Sequence, residues 1–155
     1  LEDSLERGLR LVQIREKQLP PDELQALAVR SIALARRYGA RILLNDAAEL
    51  AQRVAADGVH LTADRLMRTS SRPDLRWVGA SCHDARELAH ATQIGADFVV
   101  LGPVLATPSH PGAATLGWDG LARLVADFPL PVYALGGLRC VHLAAAWQAG
   151  AHGIG

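Results

Sequence analysis

Cysteine is nearly missing from this chain: two in 155 residues, Cys82 and Cys140. Two cannot build a disulfide scaffold, so free thiols in a reducing, cytoplasmic setting are expected. An excess of either charge is also missing. Sixteen Lys+Arg stand against sixteen Asp+Glu, which excludes a basic nucleic-acid footprint and an acidic tail. No apolar run approaches the ~20 residues of a membrane helix. The opening LEDSLERGLR is charged throughout, unlike a signal peptide. The single methionine is Met67, and the last residues, AHGIG, read as the start of a strand. Both observations lead us to expect a piece of a longer polypeptide, forming one domain over 1–155.

What is present is an alternation. Short apolar runs lie at 10–14 (RLVQI), 41–45 (RILLN), 57–61 (DGVHL), 76–81 (RWVGAS), 97–102 (DFVVLG), 131–136 (PVYALG) and 152–155 (HGIG). Several lack polar alternation, as strands buried on both faces do. Helical patterns separate them: Pro21 to about Tyr38, the AAELAQRVAA stretch after Asp46, Asp84 to Ile94, Trp118 to Asp127, and Leu138 to Ala149. One short helix and a loop are expected between Thr62 and Asp74. LEDSLERGL reads as the end of a further helix.

The joints repeat. YGARI (38–42), IGADFV (94–99) and AGAHGI (149–154) each set Gly-Ala between helix and strand, and AADGV (55–59) is a variant. Glycine past a helix end supplies a left-handed cap. Strict strand–helix alternation implies a parallel sheet with helices outside. An open doubly wound sheet would carry a glycine-rich phosphate turn after an early strand, and none is present. The expected fold is therefore a TIM (β/α)8 barrel, trimmed at both ends, with its first strand and the end of its last absent.

In such a barrel, chemistry gathers where strands end. At the first strand end, Gln13, Arg15 and Lys17 share one side by period two, and two cations with an amide suit a diphosphate. The second ends in Asn45-Asp46, an oxygen pair suited to Mg²⁺ or, equally, an ordinary helix cap. The third ends in His60-Leu61-Thr62-Ala63-Asp64. The fourth ends in Ser81-Cys82-His83-Asp84, where His83 is a candidate proton-transfer group and Ser81 or Asp84 a candidate cap. Cys82 and His83 point to opposite faces, which argues against a thiolate pair. A proline-rich loop, 102–112, follows the fifth strand as active-site lids do, and Thr107 and Ser109 can bond phosphate oxygens. At the sixth, Gly136-Gly137 offers backbone N–H groups to another phosphate.

Taken in order, the stretches VQIREK (12–17), LLNDAAELA (43–51), ADGVHL (56–61), GASCHDARELAHA (79–91), GADFVVLGPVLATPSHPG (95–112), LGW (116–118) and PVYALGGL (131–138) resemble the thiamine phosphate synthase and TenI-like family. The TPSHPG loop is similar to barrels fused behind Nudix hydrolase domains. The resemblance implies a transferase that joins hydroxymethylpyrimidine diphosphate to thiazole phosphate and releases pyrophosphate, with Mg²⁺ as cofactor. It implies that Gln13, Arg15 and Lys17 hold the diphosphate, and that Asn45 and Asp46 bind pyrophosphate and Mg²⁺. It places Ser81 at the leaving group, and Thr107, Ser109, His110 and Gly137 at a phosphate. Lys17, Ser81 and His83 then form the catalytic set. Its expected partners are these small phosphates, a covalently fused Nudix domain and a second copy of the chain in a homodimer, with neither nucleic acid nor membrane.

Three departures accompany the resemblance. His110 stands where the family loop carries lysine. Arg65 stands at the second metal carboxylate, with Asp64 one residue early as its substitute ligand. The Ile/Val-Ser pair after the last strand lies outside this chain. TenI-like relatives instead isomerise a thiazole phosphate carboxylate with a histidine in the motif that reads SCHD here, where His83 falls. A tautomerase, and a non-catalytic thiamine-phosphate-binding regulatory domain, are therefore the alternative expectations.

Overall fold

The computed structural model describes residues 1–108, 112 and 114–155. Seven strands alternate with helices: α1 (Glu2–Glu6), β1 (Leu11–Ile14), α2 (Pro21–Arg37), β2 (Arg41–Asn45), α3 (Ala48–Arg53), β3 (Gly58–Leu61), α4 (Ala63–Arg68), β4 (Trp77–Cys82), α5 (Ala85–Gln93), β5 (Phe98–Leu101), α6 (Gly117–Val125), β6 (Val132–Ala134), α7 (Leu143–Gln148) and β7 (Gly153–Ile154). The expected strands and helices are all present, and parallel ladders join β1–β2–β3 and β4–β5–β6–β7 in sequence order. One boundary moves. The last helix was expected from Leu138, but α7 starts at Leu143 after a 3-10 turn at Cys140–His142. The cause is Gly136-Gly137, both left-handed (φ 97° and 65°), which carry the chain around a turn before any helix can begin.

The chain divides into two compact units, residues 1–61 with 73–78, and 62–72 with 79–155. In the first, β1, β2 and β3 lie side by side, with Gln13 opposite Leu43 and Asn45 opposite His60. Val12, Ile14, Ile42 and Leu44 share one face and pack with Ala28, Ile32 and Ala35 of α2. That helix repeats apolar residues at 24, 27/28, 32 and 35, the stripe a sheet-packed helix needs. Proline at its first turn and Arg36-Arg37 at its last fit the helix ends they occupy. Each buried Leu or Ile contributes roughly 1.5–3 kcal/mol. The opposite face carries Gln13, Leu43, Asn45 and His60 by the same period of two.

In the second unit, the ladder β4-β5-β6-β7 buries Ala80, Cys82, Val99, Leu101, Val132 and Ala134 on one face. Leu88, Ala91, Leu121, Val125 and Ala146 supply the helix side of its core. Phe98 and Tyr133 stand on the other face as an edge-to-face pair, 5.9 Å between centroids. Arg72 ties the segment after α4 down, donating to the Gly95 carbonyl and pairing with Asp97 at 2.7 Å.

The recurring joint is one hydrogen-bonded motif used four times. After α2, Gly39 N–H donates to Arg36 O and Ala40 N–H to Ala35 O; the same two bonds recur at 95/96 and at 150/151. Residues 39, 95 and 150 are left-handed glycines, as this helix-ending motif favours. At the variant joint, Ala55 and Ala56 make the same bonds to Gln52 and Ala51, and Ala55 takes φ 53° without being glycine. The residue before the next strand then reaches back. Asp57 Oδ2 accepts the Ile42 N–H at 2.9 Å, and His152 Nδ1 accepts the Val132 N–H at 3.2 Å.

Candidate functional site

In the first unit, β1 turns Ile14 into the core and sends Gln13 to the opposite face. Gln13 Nε2 donates to Asn45 Oδ1 at 2.8 Å. Two residues assigned to phosphate binding thus meet directly, across the β1–β2 pair. Arg15 and Lys17 follow the strand end and are exposed. Asp46, next to Asn45, adopts φ 53°, a conformation aspartate tolerates but that is uncommon outside turns and functional sites. Its N–H donates to the His60 carbonyl at 2.9 Å. Capping does not account for it: Ala47 holds the N-cap position of α3, with no side-chain cap bond.

His60 is the buried polar member of this cluster, 4% exposed. Burial pushes its imidazole down to about 4; the Asp46 carboxylate acts in the opposite direction and the Arg15 guanidinium in the same one. At neutral pH the ring is therefore uncharged, and it feels both a negative and a positive charge from the strand ends. His60 had no assigned role in the sequence reading. The available signal was a histidine inside a strand whose four residues are all buried.

In the second unit, β4 ends with Ser81 half-buried and Cys82 buried. Burial, with help from Glu87 and Asp84, pushes the Cys82 thiol up to about 12, so no thiolate forms beside His83. Asp84 caps α5, accepting the Glu87 N–H at 2.8 Å. Glu87 returns the contact one residue earlier. Its Oε2 accepts the His83 backbone N–H at 2.6 Å and lies 2.9 Å from His83 Nδ1. Glu87 is a second residue missing from the sequence reading, although its four-residue spacing from His83 on an acid-capped helix was a usable signal.

The loop after β5 is rooted, not hinged, over its first residues. Val104 N–H donates to Leu135 O at 2.8 Å and Leu105 N–H to Gly136 O at 3.0 Å. Val104 is fully buried. A Cβ on Gly137 would stand 2.3 Å from Ala106 O, and one on Gly136 2.5 Å from Pro103 Cβ. The glycine pair is therefore required by close packing as well as by its left-handed backbone. Thr107 follows this root, half-buried. Ser109 and His110 lie outside the described residues.

Asp64, the expected second metal ligand, sits in the first turn of α4 and pairs with Arg68 at 2.9 Å, both side chains about three-quarters exposed. Arg65 N–H donates to Oγ1 of the N-cap Thr62 at 3.3 Å. Asp46 and Asp64 belong to different units. Among the described residues, no three His, Cys, Asp or Glu side chains gather as a metal site. No helix among them is long and apolar enough to cross a membrane.

The whole chain, residues 1–155, matches the family model described as thiamine monophosphate synthase. A Geobacter sulfurreducens protein, named provisionally as a thiamine-phosphate synthase, is 40% identical over 99% of this chain and 74% of its own length. The thiamine-phosphate synthase of Thiobacillus denitrificans is 37% identical over 99% of this chain and 75% of its own length. The solved thiamine phosphate pyrophosphorylase of Pyrococcus furiosus superposes with a TM-score of 0.82 at 29% identity, over 99% of this chain and 75% of that one.

Proposed function

The chain belongs to the thiamine monophosphate synthase family, and on that premise we propose that it is a cytoplasmic thiamine-phosphate synthase. It joins hydroxymethylpyrimidine diphosphate to thiazole phosphate and releases pyrophosphate, on a single eight-stranded barrel domain of which this chain carries seven strands. The observation that carries the site is the Gln13–Asn45 hydrogen bond. It joins the QIREK and LLND strand ends, which the parallel register sets side by side, so that one diphosphate can meet both.

In this reading, Gln13, Arg15 and Lys17 hold the diphosphate, and the two cations offset charge that grows on it as the bond to the pyrimidine breaks. Asn45 orients a phosphate oxygen. His60, uncharged, walls the site without adding a cation. Ser81 faces the leaving group, while Thr107, Ser109, His110 and the Gly137 N–H meet a phosphate. The donor set fits Mg²⁺ in the mode where one carboxylate and substrate phosphates share the ion, with Asp46 as the protein ligand. Asp64, which pairs with Arg68, is the candidate second ligand. When bound, the ion would neutralise charge on the departing pyrophosphate. A fused Nudix domain finds no support in the relatives named above.

A second reading, a TenI-like thiazole tautomerase, is favoured by one observation: His83 beside the Glu87 carboxylate is a supported proton acceptor. Two assays on purified protein separate the readings. Thiamine phosphate formation from the two substrates establishes the synthase. Thiazole isomerisation without condensation establishes the tautomerase. Binding of thiamine phosphate with neither reaction leaves a regulatory domain.

A further inference from the structure

We infer that Glu87 is the positioning residue of His83, fixing which ring nitrogen is offered to a ligand. The assignment deepens the functional reading above and rests on it only for the use to which His83 is put. A neutral imidazole has one N–H and one lone pair, and a free histidine side chain favours the proton on Nε2. Beside Glu87 the balance reverses. The carboxylate has only acceptors to offer, and its Oε2 stands 2.9 Å from Nδ1. Nδ1 must therefore carry the proton, and the lone pair moves to Nε2, on the far side of the ring.

The carboxylate is itself held. Oε2 accepts the His83 backbone N–H at 2.6 Å, and the Glu87 N–H is taken by the capping Asp84 at 2.8 Å. Glu87 is largely buried, 18% exposed, while His83 is 55% exposed. One side of the imidazole is thus anchored and the other left accessible, as a base that takes and returns a substrate proton needs. Cys82, the buried residue behind, stays a thiol and does not compete for that proton.

The test reads the tautomer directly. Long-range ¹H–¹⁵N correlation spectra of ¹⁵N-labelled protein, at a pH where the ring is neutral, distinguish the two ring nitrogens, with His83→Gln to assign the signal. In the parent, Nδ1 should be protonated. In Glu87→Gln, which keeps an acceptor oxygen and serves as the folded control, it should remain so. In Glu87→Ala it should change to Nε2–H. In whichever assay is active, Glu87→Ala should lower kcat at least about tenfold with KM within about twofold, the pattern of a wrongly oriented base, and Glu87→Gln should rescue most of it. A parent ring protonated on Nε2, or one that stays Nδ1–H in Glu87→Ala, overturns the inference. The expected tautomers with no turnover in either assay would support the positioning role and defeat the proposed function instead.

Discussion

Gln13 and Asn45 are 32 residues apart in sequence and 2.8 Å apart in space, amide donor to amide acceptor. The parallel register brings this about. Gln13 is level with Leu43, and Asn45 is the next residue of β2 on the same face. The bond fixes which way each amide points, leaving the Asn45 NH₂ group for an anion.

Because this pair is exposed, removing it should cost the fold little, about 0.5 kcal/mol, and the ligand much more. Gln13→Ala and Asn45→Ala should each weaken pyrophosphate binding about tenfold by calorimetry. The double variant should lose less than the sum of the two, since the residues are coupled. Full additivity would show that each meets ligand, or solvent, independently.

His60 predicts an acid-sensitive stability. Its folded value near 4 lies below the ordinary 6.5, so the unfolded chain takes up the proton first. Stability from this residue is complete above about pH 6.5, falls as pH drops toward 4, and levels off below that. The whole effect is of order 3 kcal/mol at most. Urea unfolding of the parent and His60→Gln across that range should give curves that diverge at high pH and converge at low pH. Parallel curves would mean the ring titrates normally.

Asp46 combines an uncommon backbone angle with a carboxylate that does not cap α3. Asp46→Gly and Asp46→Ala both remove the carboxylate, but only glycine relieves the left-handed conformation. The glycine variant should therefore be the more stable by about 1 kcal/mol. Both should bind pyrophosphate equally with and without Mg²⁺, whereas the parent should bind it more tightly with the metal. If Mg²⁺ makes no difference to the parent, the metal leaves the proposed reaction.

Ala55 occupies the left-handed position that glycine holds at the three sister joints. Ala55→Gly should raise unfolding stability by about 0.5–1 kcal/mol, and Gly95→Ala should lower it by a similar amount. Neither should alter ligand binding. Thermal melts of the two variants decide this, and a destabilised Ala55→Gly would show that its methyl group contributes more by packing than its backbone costs.

The seven strands were legible because β-branched and leucine-rich runs recur between glycine-ended helices, a pattern set by local physics. The strand ends were legible for the same reason, since a charged or amide side chain after a buried run is conspicuous. Two things were not. His60 sits within an apolar run, and only its burial beside Asp46 and Arg15 gives it a chemical character. Glu87 looked like one more acid on a capped helix until its carboxylate met His83. Both are relationships among side chains, which spacing alone does not determine. Asp46 went the other way: its sequence permitted an ordinary cap, and the N-cap position held by Ala47 withdrew that explanation. The loop after β5 read as a lid from its prolines, while its root proved to be stitched by main-chain bonds.

Those stitches, Val104 to Leu135 and Leu105 to Gly136, are made by groups that every amino acid except proline carries. The hydrogen bonds that hold residues 104 and 105 therefore do not depend on which side chains those positions carry. That hold is a product of the glycine pair, whose missing side chains let the chain after β6 meet the chain after β5 main chain to main chain.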